Sequence, residues 1–160
     1  MDTKQTGGYS VKNVKSMNGN DGLITRANIY RDGVKVGEGF DDGNGGGVMF
    51  DFVSPVEEKK FYAFVENLTY VCPFDHKTHP QTPDIFFDEM CNAYELAKET
   101  ARFEKQRARD MQTKTVFRLK SDVKDSYRIV KHAFDAKVKK YLTDKYGDKL
   151  EVIFNETAMA

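Results

Sequence analysis

The side chains with the most chemistry in this sequence fall in three places. The first is Asp41-Asp42-Gly43-Asn44-Gly45-Gly46-Gly47. Successive glycines can turn several backbone N–H groups toward one point, the geometry of an anion-holding nest. Two carboxylates beside them would repel a phosphate unless a metal intervened. Asp41, Asp42 and Asn44 therefore read as hard oxygen donors for a divalent cation, with Gly45 and Gly46 shaping the loop. The calcium-loop spacing and its distal glutamate are missing. The same glycine density suits a tight hairpin connection with positive φ, and that structural reading is preferred.

The second place holds Cys72, His76, His79 and Cys91, residue types that ligate zinc. The spacing Cys72-x₃-His76-x₂-His79 matches no standard finger, and Cys91 falls within a predicted helix near its apolar stripe. The preferred reading is a solvated loop with two imidazoles and a buried thiol, with no metal and no cofactor. No neighbouring motif activates a cysteine for catalysis, and no catalytic set is assigned.

The third place is basic. Arg102, Lys105, Arg107, Arg109 and Lys114 cluster at one predicted helix end, and Arg118, Lys120, Arg128 and Lys131 lie on the hairpin after it. In an alternating strand Arg118 and Lys120 share the face opposite Phe117 and Leu119. Such a face tracks phosphates or meets an acidic partner. Tyr127 and His132 are placed either to stack on bases or to pack.

The 160 residues carry 25 basic and 25 acidic side chains, but unevenly. Residues 54–96 hold 3 basic against 8 acidic groups, whereas residues 97–149 hold 16 against 8. A chain of zero net charge can thus present a basic face. The two cysteines read as reduced thiols in a cytosol. No apolar run is long enough for a signal segment or a membrane span.

The elements needed to position these groups suggest one α+β domain over 1–160. Tyr9–Lys15, Leu23–Tyr30, Val34–Phe40 and Val48–Phe52 read as an antiparallel meander, with Asp32-Gly33 as a tight turn. Gly37 and Gly39 suggest a bulge or a close backbone approach. Ser54, Pro55 and Glu57 form a capping box for a helix with Phe61, Phe64, Val65 and Leu68 on its covering face. Val71–Pro83 reads as a loop. Thr82-Pro83 opens a long helix to about Met111, with Phe86, Met90, Ala93, Tyr94, Ala97 and Ala101 as its apolar stripe. A C-terminal ββαβ unit follows. Its strands are Thr115–Lys120, Tyr127–Lys131 and Leu150–Phe154, and its helix is capped by Asp135 and ended by Gly147. Val138, Tyr141, Leu142 and Tyr146 are expected to face inward.

Two stretches taken together resemble a known group. One is Ile29-Tyr30-Arg31-Asp32-Gly33-Val34-Lys35-Val36-Gly37 followed by Asp41-Asp42-Gly43-Asn44-Gly45-Gly46. The other is Thr115-Val116-Phe117-Arg118-Leu119-Lys120, with Lys145-Tyr146-Gly147-Asp148-Lys149 and Asn155-Glu156 behind it. In this order they resemble a family of small uncharacterised bacteriophage and prophage proteins. The resemblance implies a mobile-element origin and a bacterial host cytosol, and it implies no reaction. The expected function is a non-catalytic accessory protein that binds a host or defence-system component. That binding is by protein contacts or by capture of a nucleotide-like ligand. Two alternatives are a nucleic-acid-binding accessory protein using the basic face and a small metal-dependent enzyme at Asp41 and Asp42. A homodimer through a free edge of the meander is a further expectation.

Overall fold

The computed structural model describes residues 6–157. The fold is α+β, and its contacts fall into two compact units, Met1–Ala97 and Lys98–Ala160.

In the first unit β1 (Tyr9–Asn18), β2 (Leu23–Arg31), β3 (Val34–Asp41) and β4 (Met49–Phe52) form an antiparallel sheet in that order. Alternation sends Val11, Ala27, Ile29 and Val36 to one buried face. Two bulges adjust the register. One lies between Lys12 and Lys15, where Asn13 takes a φ of 56°, and it returns Val14 to the buried face. The other lies between Ile29 and Tyr30. Asp32 and Gly33 turn with φ of 51° and 82°, as their dipeptide predicts.

Helix α1 (Pro55–Val65) begins where Ser54 Oγ accepts the Glu57 N–H at 3.3 Å. The expected capping box is half formed. The Glu57 carboxylate turns instead to Arg31 and to Lys60, at 2.9 Å and 3.0 Å. Phe61 is fully buried, with Tyr9, Phe50 and Phe52 rings 5.2–5.3 Å from its own. Tilted and edge-on aromatic contacts of this kind add to the burial of ring area. Gly39 provides the close approach its sequence suggests. A Cβ there would stand 2.3 Å from the Phe87 ring.

The stretch expected to be a loop from Val71 to Pro83 instead contains a hairpin, β5 (Thr69–Val71) and β6 (Thr78–Pro80). Each strand has three residues, too short to show a period, and Pro80 closes the second at a strand end, where a missing N–H is tolerated. Helix α2 (Pro83–Met111) has the expected bounds. Phe86, Phe87, Met90 and Cys91 are buried. Ala97 and Ala101, expected to be buried, are exposed. A methyl group loses little in water, so their spacing marked a helix rather than a core.

In the second unit β7 (Thr115–Leu119) is the centre of a three-stranded antiparallel sheet, between β8 (Arg128–Val130) and β9 (Leu150–Ile153). Helix α3 (Ala136–Tyr146) is capped by Asp135, which accepts the Val138 N–H at 2.8 Å, and it ends at Gly147 with φ 47°. Phe117, Leu119, Leu142 and Ile153 form the core, and Val138 and Tyr146 pack around it. Tyr141, expected to face inward, is 49% exposed and takes a hydrogen bond from Lys145. The last strand stops one residue early, because Phe154–Thr157 forms a short helix, α4.

Candidate functional site

The basic tract divides into two populations. Arg118 is held from three sides: Nε and Nη2 each reach Glu151 at 2.8 Å, and Nη1 reaches the Lys124 carbonyl at 2.6 Å. Glu151 thereby raises the guanidinium's proton affinity, and Arg118 in turn lowers the Glu151 carboxyl. Arg128 bonds Asp122 through Nε at 2.9 Å and Nη2 at 2.7 Å. Asp122 also accepts the Leu119 N–H at 3.0 Å. Arg128 first, and then that N–H, pull the Asp122 carboxyl down to about 2. Arg107 pairs with Glu104 and lies 4.5 Å over the Phe154 ring. Lys114 reaches Asp110 at 2.6 Å.

These four cations are therefore internal fasteners. The expectation of an open Arg118–Lys120 strand face is corrected accordingly, since bidentate pairing occupies the Arg118 fork. Tyr127 packs on Phe103 at 5.2 Å and donates to Asp110 at 2.9 Å, so it packs rather than presenting a free stacking face.

The second population is different. Arg102, Lys105 and Arg109 are exposed and make no ion pair among the described residues. At α-helical rotation they and Lys98 fall within an arc of about 60°. Within residues 98–111 no acidic side chain shares that arc. Phe103, Arg107 and Asp110, which carry the internal contacts just described, sit on roughly the opposite side of the helix. Lys120 and Lys131 are also exposed.

The Asp41–Gly47 loop shows turn chemistry. Asp41 Oδ1 accepts the Gly43 N–H at 2.8 Å, and Asp42 Oδ1 accepts the Asn44 N–H at 3.0 Å. Gly43 and Gly45 have φ of 71° and 76°, the left-handed region that glycine supplies without strain. Gly46 stands in open space. A carboxylate that caps its own loop is the short-range bond for which aspartate is favoured in turns.

The four zinc-type residues separate. Cys91 lies in the core, where burial first, and then Asp88 and Glu95, push its thiol up to about 12. His76 takes a left-handed φ of 56°. Cys72 and His79 come together, joined by Asp75. Asp75 was overlooked in the sequence because an aspartate in a loop is ordinarily turn chemistry.

A cavity of about 590 Å³ in the first unit is lined by Asn13, Lys15, Arg26, Asn28, Glu38 and Tyr94, among others. Arg26 and Glu38 already neutralise each other there at 2.5 Å. No helix among the described residues is long and apolar enough to cross a membrane. Comparison with protein-family models, with curated proteins and with solved structures finds no match to this chain.

Proposed function

We propose that the chain is a non-catalytic accessory protein of phage type that binds a host or defence component in the bacterial cytosol. It does so through the outer face of α2. The observation that carries this reading is the Arg102–Lys105–Arg109 stripe. Three exposed cations on one helical face, with no carboxylate pairing them among the described residues, favour a partner that brings negative charge. The neighbouring Arg107, Arg118 and Arg128 each have such a carboxylate, so the unpaired stripe is not the default behaviour of this tract.

The test is capture of a partner from bacterial lysate by the tagged chain and by the Arg102→Glu/Lys105→Glu/Arg109→Glu variant. The three side chains are exposed and make no ion pair among the described residues, so the variant keeps the wild-type circular dichroism. Partner affinity falls at least about tenfold, mostly through the on-rate. Undiminished capture by the variant overturns the assignment.

The stripe's chemistry also fits a phosphate backbone. Binding to duplex DNA through these three cations gives a slope of about −2.7 in log affinity against log salt. Finding that slope, together with no captured protein, replaces the protein partner with nucleic acid.

A further inference from the structure

The β5–β6 hairpin gathers three metal-type donors. Its register pairs Tyr70 with His79 and Val71 with Thr78. Side chains alternate along a strand and paired residues share a face. Tyr70, Cys72 and His79 therefore project from one face of the hairpin. The turn brings Asp75 back over that face. Its Oδ1 accepts the Lys77 N–H at 3.0 Å, the Cys72 N–H donates to the Lys77 carbonyl at 2.9 Å, and the His76 N–H donates to the Cys72 carbonyl at 2.9 Å. These bonds, two within the backbone and one to the Asp75 carboxylate, fix the loop without using the Cys72 sulfur or the His79 ring.

Those two groups converge on the same carboxylate. His79 Nε2 lies 3.0 Å and 3.2 Å from the two Asp75 oxygens, and the Cys72 sulfur stands within 4.8 Å of that carboxylate and of the ring. One donor atom from each of the three residues lies within 4.8 Å of the others. Donors at 2.0–2.3 Å from a tetrahedral zinc stand about 3.3–3.6 Å apart, so the trio closes on an ion by small side-chain rotations. An imidazole–carboxylate pair alone would account for His79 and Asp75, but not for a thiol aimed at the same point. Thiolate, imidazole and carboxylate together suit a borderline-soft cation of the zinc class and disfavour calcium or magnesium.

We propose that Cys72, Asp75 and His79 bind one zinc-class divalent cation at the hairpin tip, leaving a fourth coordination position open to solvent. The Asp75 and His79 side chains are each 41% exposed, which gives an ion a path in and water a path to that position. Binding displaces the thiol proton to solvent and needs no oxidant or reductant.

The test is titration of the full reduced chain with cobalt(II), followed by displacement with zinc(II). The wild-type protein takes up one equivalent of cobalt with a thiolate-to-metal charge-transfer absorption, and zinc abolishes that absorption. Cys72→Ser loses the band, and Cys72→Ser and His79→Ala each weaken zinc binding at least tenfold by calorimetry. Cys91→Ala keeps both signals. Zinc also slows alkylation of Cys72 in the native protein. The hairpin tip lies outside the core, so circular dichroism is unchanged in the two tip variants. No cobalt uptake by the wild type overturns the site. So does a band retained in Cys72→Ser, or one lost in Cys91→Ala instead.

Discussion

Asn155 is 4% exposed and every polar atom of its side chain is engaged. Its oxygen accepts the Val116 N–H at 2.7 Å, and its amide nitrogen donates to the Met111 and Lys114 carbonyls at 3.1 Å and 3.0 Å. One side chain thus ties the last turn of α2, the entry to β7 and the short helix α4. Asn155→Ala leaves the buried Val116 N–H and two carbonyls without partners, which costs about 3 kcal/mol in urea unfolding. Asn155→Asp keeps the acceptor but loses the donor, and it destabilises as well. A loss below about 1 kcal/mol for the alanine variant would show that the neighbouring backbone is satisfied some other way. The sequence offered Asn155 only as a polar residue after a strand. Its role depends on partners 39–44 residues earlier in the chain. The same distance hid the Arg118–Glu151 pair, 33 residues apart, and so made a fastened guanidinium look like an open binding group. The helical period puts Arg102, Lys105 and Arg109 on one face and Arg107 on another, a division that clustering all four by charge did not draw.

At the scale of elements, the signals that held were local ones. Ser54 and Asp135 cap their helices, Asp32-Gly33 turns and Gly147 terminates, each through backbone geometry within a few residues. The β5–β6 hairpin was illegible because three-residue strands carry no period, and with it went the grouping of Asp75 with Cys72 and His79. Gly39 lies between these cases. Its sequence position announced a close approach, but not that the approaching group was Phe87. Gly39→Ala forces a Cβ to 2.3 Å from that ring, and the ring can shift only by disturbing its packing against Phe50. Overpacking of this kind costs about 1–3 kcal/mol. Gly46→Ala is the matched control. It has no neighbour within 4 Å, and its thermal midpoint stays within a degree or two of wild type. Equal destabilisation by both substitutions would mean that chain flexibility, not the Phe87 contact, selects glycine in β3.

Across the whole molecule, a formal charge of zero conceals two oppositely charged units. Residues 1–97 carry 9 basic against 15 acidic groups, and residues 98–160 carry 16 against 10. In the basic unit carboxylates are scarce and find cations. Arg128 holds Asp122 at about 2, Lys114 lowers Asp110 and Arg118 lowers Glu151. In the acidic unit one carboxylate is held the other way. Burial raises Asp88, and the nearby Asp41 and Asp84 raise it further. The two kinds of shift have opposite consequences. With its carboxyl held low, folded Asp122 binds fewer protons than the unfolded chain. Its stabilisation is complete above about pH 4 and drains as the pH falls toward 2. With its carboxyl held high, Asp88 favours the folded state only below the ordinary carboxylate range and opposes it at neutrality. Asp122→Asn should therefore lower the thermal midpoint at pH 7, with the deficit shrinking toward pH 2. Asp88→Asn should raise the midpoint at pH 7, with the gain vanishing below about pH 4. Melting curves of the three proteins between pH 2 and 7 decide this. Two substitutions shifting the midpoint in the same direction at neutral pH would mean that the asparagine side chains, and not the charges they remove, govern the response.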